Sequence, residues 1–480
     1  MLTRDASQTL TEQLAERYAA RIRERLLAPG ARLPSVRDCA QRHGVSPHTV
    51  VAAYDQLLAQ GLIEARRQRG FFVRSPASAR PVAAKARAEA VAPSTPVDAP
   101  VDAAALIRSM FHGPGGKPAP GGGTLPADWL DLPLLNTALR RALRPEAAGG
   151  AAGALRYGDP AGDLRLREAL ALRLADLGIA CGAEQIVTAL GATQALDIVS
   201  RALLQPGDAV LVDEPGWAVE FARLPLLGMR VLPVPRGADG PDLAVLRRLV
   251  IEHKPRLYMT VSVLHNPTGS SLSLAQCHEL LNLAHAHDFH IVEDDTYAWL
   301  APPHAPRIAA LDGLQRCLYI SGFSKVLAPG WRVGYMAAPS ALRARLVDVK
   351  LLTSLTTPAL TEQAVAACLE QGALRRHAER VRLRLDAARA RSVALALRHD
   401  CPPAAPAQGL FAWVHTGVDT DRLAQALLDD GWLIAPGSLF HATRRPSPLM
   451  RINVATSQDA AFWRALAERR AQLQRRGVKA

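Results

Sequence analysis

Aromatic residues make up only 5% of this 480-residue chain, cysteine appears six times, and no apolar run approaches the ~18 residues needed to span a bilayer. Cys39, Cys181, Cys277, Cys317, Cys368 and Cys401 are scattered, with no C-x-x-C pair and no short spacing. That pattern argues against a disulfide framework and against a zinc site. The opening stretch, MLTRDASQTLTEQ, lacks the apolar core of a secretory leader. The expectation is a soluble, cytoplasmic protein without a membrane partner.

What is present describes a globular chain. Apolar residues at 49% and charged residues at 21% supply a large core, and the length calls for at least two domains. The net charge is +13, unevenly placed: residues 1–74 hold twelve Arg against seven acids, a surplus of five. A polyanion partner for the N-terminus accounts for this, and so does an Arg-rich genomic bias. Between Ser75 and Val101 the chain carries nine Ala, five Pro and hardly a large apolar residue. Such a stretch cannot form a core and reads as a semi-extended linker between a small module, 1–74, and a large one, 102–480.

In the small module Leu10, Leu14, Tyr18, Ile22 and Leu26 recur every four residues, the stripe of an amphipathic helix. Ser35, with Asp38 three residues on, marks a second helix start, and Gly44 ends that helix. Ser46-Pro47 opens a third, with Ser46 placed as cap and Pro47 suited to the first turn. Val50, Ala53, Tyr54, Leu57 and Leu58 share its inner face, which leaves His48 and Thr49 free at its N-terminus. Leu62 to Val73 reads as a hairpin with a basic tip. Helix, short helix, turn, helix and hairpin is the order of a winged helix-turn-helix, which presents its third helix to the DNA major groove. The alternative is a three-helix protein-binding module with a solvated Arg face.

Residues 33–73 resemble the GntR family of bacterial regulators. The resemblance implies that Ser35, Arg37, Ser46, His48 and Thr49 touch DNA, and that Arg69 and Gly70 form the tip of the wing. Pro47 stands where that family often has Arg, and the wing lacks its usual second glycine.

The large module alternates strands and helices, with polar clusters at the ends of buried-type strands. Ile186–Leu190 runs into Gly191-Ala192-Thr193-Gln194 and a helix, a turn whose backbone N–H groups suit a phosphate. Ala209–Asp213 leads to Trp217. Leu257–Val263 leads to His265-Asn266-Pro267-Thr268-Gly269. Phe289–Val292 leads to Asp294 and Tyr297. Leu318–Ile320 leads to Ser324-Lys325, with Arg332 seven residues after the lysine. Polar groups gathered at strand ends of an α/β sheet mark a ligand crevice. His285, His287 and His290 lack a zinc spacing and read as a solvated helix end.

From Tyr157 to Asn453 these clusters resemble, in order, the fold-type I pyridoxal-phosphate aminotransferases. The resemblance implies an α/β domain with a mainly parallel sheet flanked by helices, and pyridoxal 5′-phosphate as cofactor. Lys325 would form the Schiff base with the cofactor aldehyde. Asp294 would keep the pyridine nitrogen protonated, Asn266 and Tyr297 would bond the ring 3-oxygen, and Trp217 would stack on the ring. The Ala192 backbone, Thr193, Gln194, Ser324 and Arg332 would bind the phosphate, joined by Tyr157 from the neighbouring subunit. Arg451 would clamp the α-carboxylate of an amino compound. Gly322 stands where many relatives carry a hydroxyl, with Ser321 or Ser324 as the replacement.

The combination resembles the MocR subfamily of GntR-like regulators. It implies a homodimer that binds double-stranded operator DNA and senses an amino acid, an amine or the cofactor itself. A working aminotransferase with an accessory N-terminal module is the rival reading.

Overall fold

The computed structural model of the chain describes residues 8–23, 27, 29–66, 69–74, 119–144 and 155–477. The connecting stretch 75–101, Leu26 of the first stripe and Arg67 of the hairpin lie outside these residues. The chain divides into two compact units, Met1–Lys117 and Pro118–Ala480.

In the first unit α1 (Leu10–Arg23), α2 (Val36–His43) and α3 (Pro47–Ala59) precede a hairpin of β1 (Ile63–Arg66) and β2 (Gly70–Val73). The caps are those the sequence calls for. Ser35 Oγ accepts the Asp38 N–H at 3.1 Å, and Ser46 Oγ accepts the Thr49 N–H at 3.1 Å. Gly44 ends α2 in the left-handed region, at φ 62°. The inner stripe packs into one core in which Leu14, Tyr18, Val50, Tyr54 and Leu57 are buried. Tyr18 meets Tyr54 edge-on, and the Tyr54 hydroxyl donates to Pro34 O at 2.9 Å, tying α3 to the start of α2.

The second unit is built on an eight-stranded sheet. In chain order its strands are β3 (Ile186–Ala189), β4 (Ala209–Glu214), β5 (Arg230–Gly237), β6 (Gly240–Pro241), β7 (Leu257–Thr260), β8 (His290–Asp294), β9 (Cys317–Gly322) and β10 (Gly334–Ala337). Their spatial order is β3-β10-β9-β8-β7-β4-β5-β6. The run from β9 to β5 is parallel, and β10 lies antiparallel between β9 and β3. Both faces are covered, which is why these strands read as nearly continuous apolar runs. Val187, Val210, Met259, Val292 and Ile320 face one apolar layer, and Ile186, Leu211, Tyr258, Ile291 and Tyr319 face the other.

The strand expected over Leu257–Val263 ends at Thr260. Beyond it Ser262 turns its hydroxyl onto Glu293, and Leu264 adopts φ 53°, so the chain leaves the ladder to form the Asn266 loop. A smaller antiparallel sheet follows, β11 (Phe411–His415), β12 (Ala435–Pro436) and β13 (Leu449–Asn453), with β13 in the middle. It shares a core with the long helix Ala373–Arg398 and the helix Ala460–Gly477. Among the described residues no helix is long and apolar enough to cross a membrane.

Candidate functional site

The C-terminal ends of β4, β7, β8 and β9 open on one side of the sheet, and the small sheet contributes β13 to the same place. Lys325 follows β9, partly buried, and its amine donates to Gly123 O at 2.7 Å. Burial, reinforced by the Arg451 charge, pushes that amine down to about 8 against the opposite pull of Asp294. Asp294 ends β8, and its Oδ1 accepts the Thr296 N–H at 3.0 Å and the Thr296 hydroxyl. Burial raises its carboxyl to about 6, opposed by those bonds.

Tyr297 is buried three residues further on, edge-on to Phe411 at 5.5 Å, and burial raises its phenol pKa. Arg451 projects from β13 and is 4% exposed. It donates to Asn266 Oδ1 at 2.8 Å and to Gly121 O at 2.6 Å, with the Phe411 and Phe440 rings 4.4 and 5.1 Å from its centre. Burial lowers its pKa to about 10, with the Tyr297 phenol pulling the other way.

The helix Ala192–Leu203 starts beside this group. Gly191 holds φ 84° at its head and no side chain caps it, so its first N–H groups remain for an anion. Arg332 comes from the β9–β10 connection and lies across the same turn, donating to Leu190 O at 2.6 Å and to Ser324 Oγ at 3.4 Å. A Cβ on Gly191 would stand 2.6 Å from Arg332 Nη2, and one on Gly334 would meet Gly191 at 2.6 Å. Both positions need glycine for strand, turn and guanidinium to approach this closely. Gln194 turns its Oε1 back to the Leu190 N–H. Of the two hydroxyls that stand in for a side chain at Gly322, Ser321 is buried and donates to Asp295 O at 2.8 Å, while Ser324 faces Arg332. Trp217 follows β4, half-buried, at the head of the helix Ala218–Leu226. Tyr157 is 82% exposed and is not packed into this cluster.

Two participants escape the sequence reading. The irregular segment Ala119–Thr124, a turn followed by a bend, straps across between Lys325 and Arg451, and Asn453 donates to its Gly122 and Thr124 carbonyls at 3.2 and 2.7 Å. The Pro120-Gly121-Gly122-Gly123 run was the available signal for the first. Asn453 was legible as the residue two beyond Arg451 on one strand, and hence on its face. In the first unit Ser35, Arg37, Ser46, His48, Arg69 and Gly70 are exposed, with Thr49 half-exposed behind Ser46. Among the described residues no group of three or more His, Cys, Asp or Glu is placed to hold a metal ion.

The fold and this cluster define an aminotransferase-type domain preceded by a winged helix-turn-helix. Residues 128–468 match the family model described as aminotransferase class I and II, and residues 10–73 match bacterial regulatory proteins, gntR family. The chain is 30% identical over 463 residues to the uncharacterized HTH-type transcriptional regulator YdcR of Escherichia coli, covering 92% of this chain and 94% of that one. It is 32% identical to the probable rhizopine catabolism regulatory protein MocR of Rhizobium meliloti, covering 83% and 79%. LysN, an alpha-aminoadipate aminotransferase of Thermus thermophilus solved with N-(5′-phosphopyridoxyl)-L-leucine, superposes with a TM-score of 0.70 at 26% identity, over 77% of this chain and 95% of that one.

The chain belongs to the aminotransferase class I and II family, in the branch of MocR-type transcriptional regulators that carry a GntR helix-turn-helix in front. The cofactor of this class is pyridoxal 5′-phosphate, and the residues present suit it. An amine of lowered pKa, an uncapped helix N-terminus with an arginine across it, and a buried Arg451 Nε without a hydrogen-bond partner form a set of donors for an anionic aldehyde and a carboxylate.

Proposed function

We propose that the chain is a transcriptional regulator whose first unit binds double-stranded operator DNA and whose second unit recognises an amino acid or amine through pyridoxal 5′-phosphate. The observation that carries this reading is the pairing of Lys325 and Arg451 across Gly123: a Cβ there would lie 3.9 Å from both Lys325 Nζ and Arg451 Nη2. One amine and one carboxylate clamp flanking the same glycine suit a molecule bearing both an amino and a carboxyl group.

Lys325 would hold the cofactor, Asp294 its ring nitrogen, Asn266 and Tyr297 its 3-oxygen, and Trp217 its ring face. The Ala192 and Thr193 N–H groups, with Gln194, Ser324 and Arg332, would hold its phosphate. Bound there, pyridoxal phosphate supplies an aldehyde for amines and an electron-withdrawing ring. The exposed Tyr157 would complete the phosphate site of a second copy of the chain, which makes the working form a homodimer. On DNA, α3 would enter the major groove with His48 and Thr49 at base edges, while Arg37 and Arg69 meet phosphates.

The test is a titration of the cofactor-loaded protein with a panel of amino acids and amines, following the visible spectrum and the affinity for promoter DNA together. A spectral change that stops short of the cofactor's amine form and alters DNA affinity supports the regulator. Complete conversion to that form, reversed by a keto acid, with DNA affinity unmoved makes it a working aminotransferase. The observation behind that second reading is that Lys325, Asp294 and Arg451 are all retained at one site.

Two smaller results follow. Arg37→Ala should weaken DNA binding roughly tenfold on every sequence and lower the salt-dependence slope by about one, as loss of a single phosphate contact does; titrations at several salt concentrations check this. The rate at which apoprotein takes up pyridoxal phosphate should rise with pH and level off above about 8, because Lys325 reacts as the neutral amine. Removing the Arg451 charge takes away a cation that disfavours the protonated amine, so in Arg451→Ala the inflection should move to higher pH.

A further inference from the structure

We propose that Arg32 is a DNA contact of the first unit, a cation for a backbone phosphate delivered to the wing from the stretch ahead of α2. The inference rests on the DNA-binding reading and adds a residue to it. Gly30 N–H donates to Val73 O, Val73 N–H to Ala31 O and Leu33 N–H to Phe71 O, each at 2.9 Å. Arg32 thereby stands opposite Phe72 in an antiparallel bridge, and residues 30–33 act as a third strand beside the hairpin. Ala31 lies against Val73 and Leu33 against Phe71, so this stretch runs toward the hairpin turn before it enters α2. The start of α2, with Ser35 and Arg37, and the turn with Arg69 and Gly70 are thus brought to one end of the sheet.

Strand alternation decides where the Arg32 side chain goes. Ile63 and Val73, which pair, are buried in the core, and Phe71 meets Tyr54 edge-on at 5.0 Å. Phe72, Glu64 and Arg66 therefore occupy the opposite, outer face, and Arg32 joins them as the cross-strand neighbour of Phe72. On that face it leans toward the turn: a Cβ on Gly70 would lie 3.5 Å from Arg32 Nε and 3.6 Å from its Nη2. At the other end of the hairpin a Cβ on Gly61 would lie 3.3 Å from Arg74 Nη1. The sheet is flanked by an arginine at each end, and Arg32 is the one beside the groups assigned to DNA above.

Charge pairing separates Arg32 from its neighbours. Arg66 shares the outer face, but its guanidinium meets Glu64 Oε1 at 2.8 Å and lies 4.5 Å from the centre of the Phe72 ring, so that pair adds no net charge. Arg32 is exposed, and among the described residues its guanidinium has no hydrogen-bond or ion-pair partner. Meeting a phosphate breaks no contact within the protein, and a planar guanidinium can grip two phosphate oxygens at once. No spacing along the chain announces this role, because Arg32 and Gly70 stand far apart in sequence and come together through backbone pairing.

The experiment uses the full-length protein and two duplexes of equal length and unrelated sequence, with affinities measured over a range of salt concentrations. Arg32→Ala should weaken binding to both by roughly fivefold and lower the salt-dependence slope by about one, the signature of one lost phosphate contact. Arg32→Lys, which keeps the charge, should hold the wild-type slope. Arg74→Ala removes the same charge at the far end of the sheet and should leave the slope unchanged. Both arginines are exposed, so all the variants should melt with the wild type. An unchanged slope in Arg32→Ala overturns the proposal, as does an equal fall in Arg74→Ala or a loss confined to one duplex. A wild-type protein that binds neither duplex in a salt-dependent way overturns the DNA-binding reading instead.

Discussion

Lys325→Ala should yield a protein that no longer holds pyridoxal phosphate covalently: the absorption of the lysine-bound cofactor vanishes and the cofactor is lost on dialysis. Among the described residues no second lysine is placed to replace it. Burial also brings the Lys350 amine down to about 8, but that side chain is fully enclosed, donating to Thr188 Oγ1 at 3.0 Å and Thr357 Oγ1 at 3.4 Å. The two lysines show why a depressed pKa marks a reactive amine only where the geometry leaves it something to react with. DNA affinity of the cofactor-free variant should stay within about twofold of cofactor-free wild type, because Ser35, Arg37, Ser46, His48 and Thr49 belong to the other unit. Retention of the lysine-bound absorption in the variant would remove Lys325 from the site.

The second large effect is expected at Arg451. Its guanidinium is nearly enclosed between two aromatic rings, so an effector carboxylate bound there is a desolvated charge pair. Truncating one partner of such a pair costs ~2–5 kcal/mol, which converts to roughly thirtyfold to several thousandfold weaker response to carboxylate-bearing amines. Amines without a carboxylate should respond as they do in wild type, and this contrast separates a lost clamp from a damaged fold. Arg451→Lys should recover little, since an ammonium on a flexible stem cannot present two parallel donors while also holding Asn266 Oδ1 and Gly121 O. Spectral titrations with a matched amino acid and decarboxylated amine read the difference directly, and equal losses for both ligands would take the clamp away from Arg451.

Much of this molecule is legible along the chain because its signals are local. Ser35 and Ser46 accept the N–H three residues on, and a cap of that kind is written within four letters. The strands β3, β4, β8 and β9 show as short apolar runs because both faces of the sheet are covered, and the polar residues that follow them mark its open end. β7 reads three residues too long for the same reason: Val263 stays buried after the ladder has ended, and apolarity reports burial rather than pairing.

The composition, the cap and turn residues, and the order of clusters from Gly191 to Arg451 were enough to place a winged helix-turn-helix before a doubly covered α/β sheet. The family resemblance carried by those clusters, rather than composition or spacing, pointed to Lys325 and Arg451. Three features required the folded chain: the seat of Arg451 between Phe411 and Phe440, the loss of Ser321 to Asp295, and the passage of Gly121–Gly123 between the two cations. Gly121 and Arg451 stand 330 residues apart and meet through a backbone carbonyl, a group that every residue carries. Nothing in the identity of a residue announces which carbonyl will face a buried charge; packing of the strap against β12 and β13 settles it.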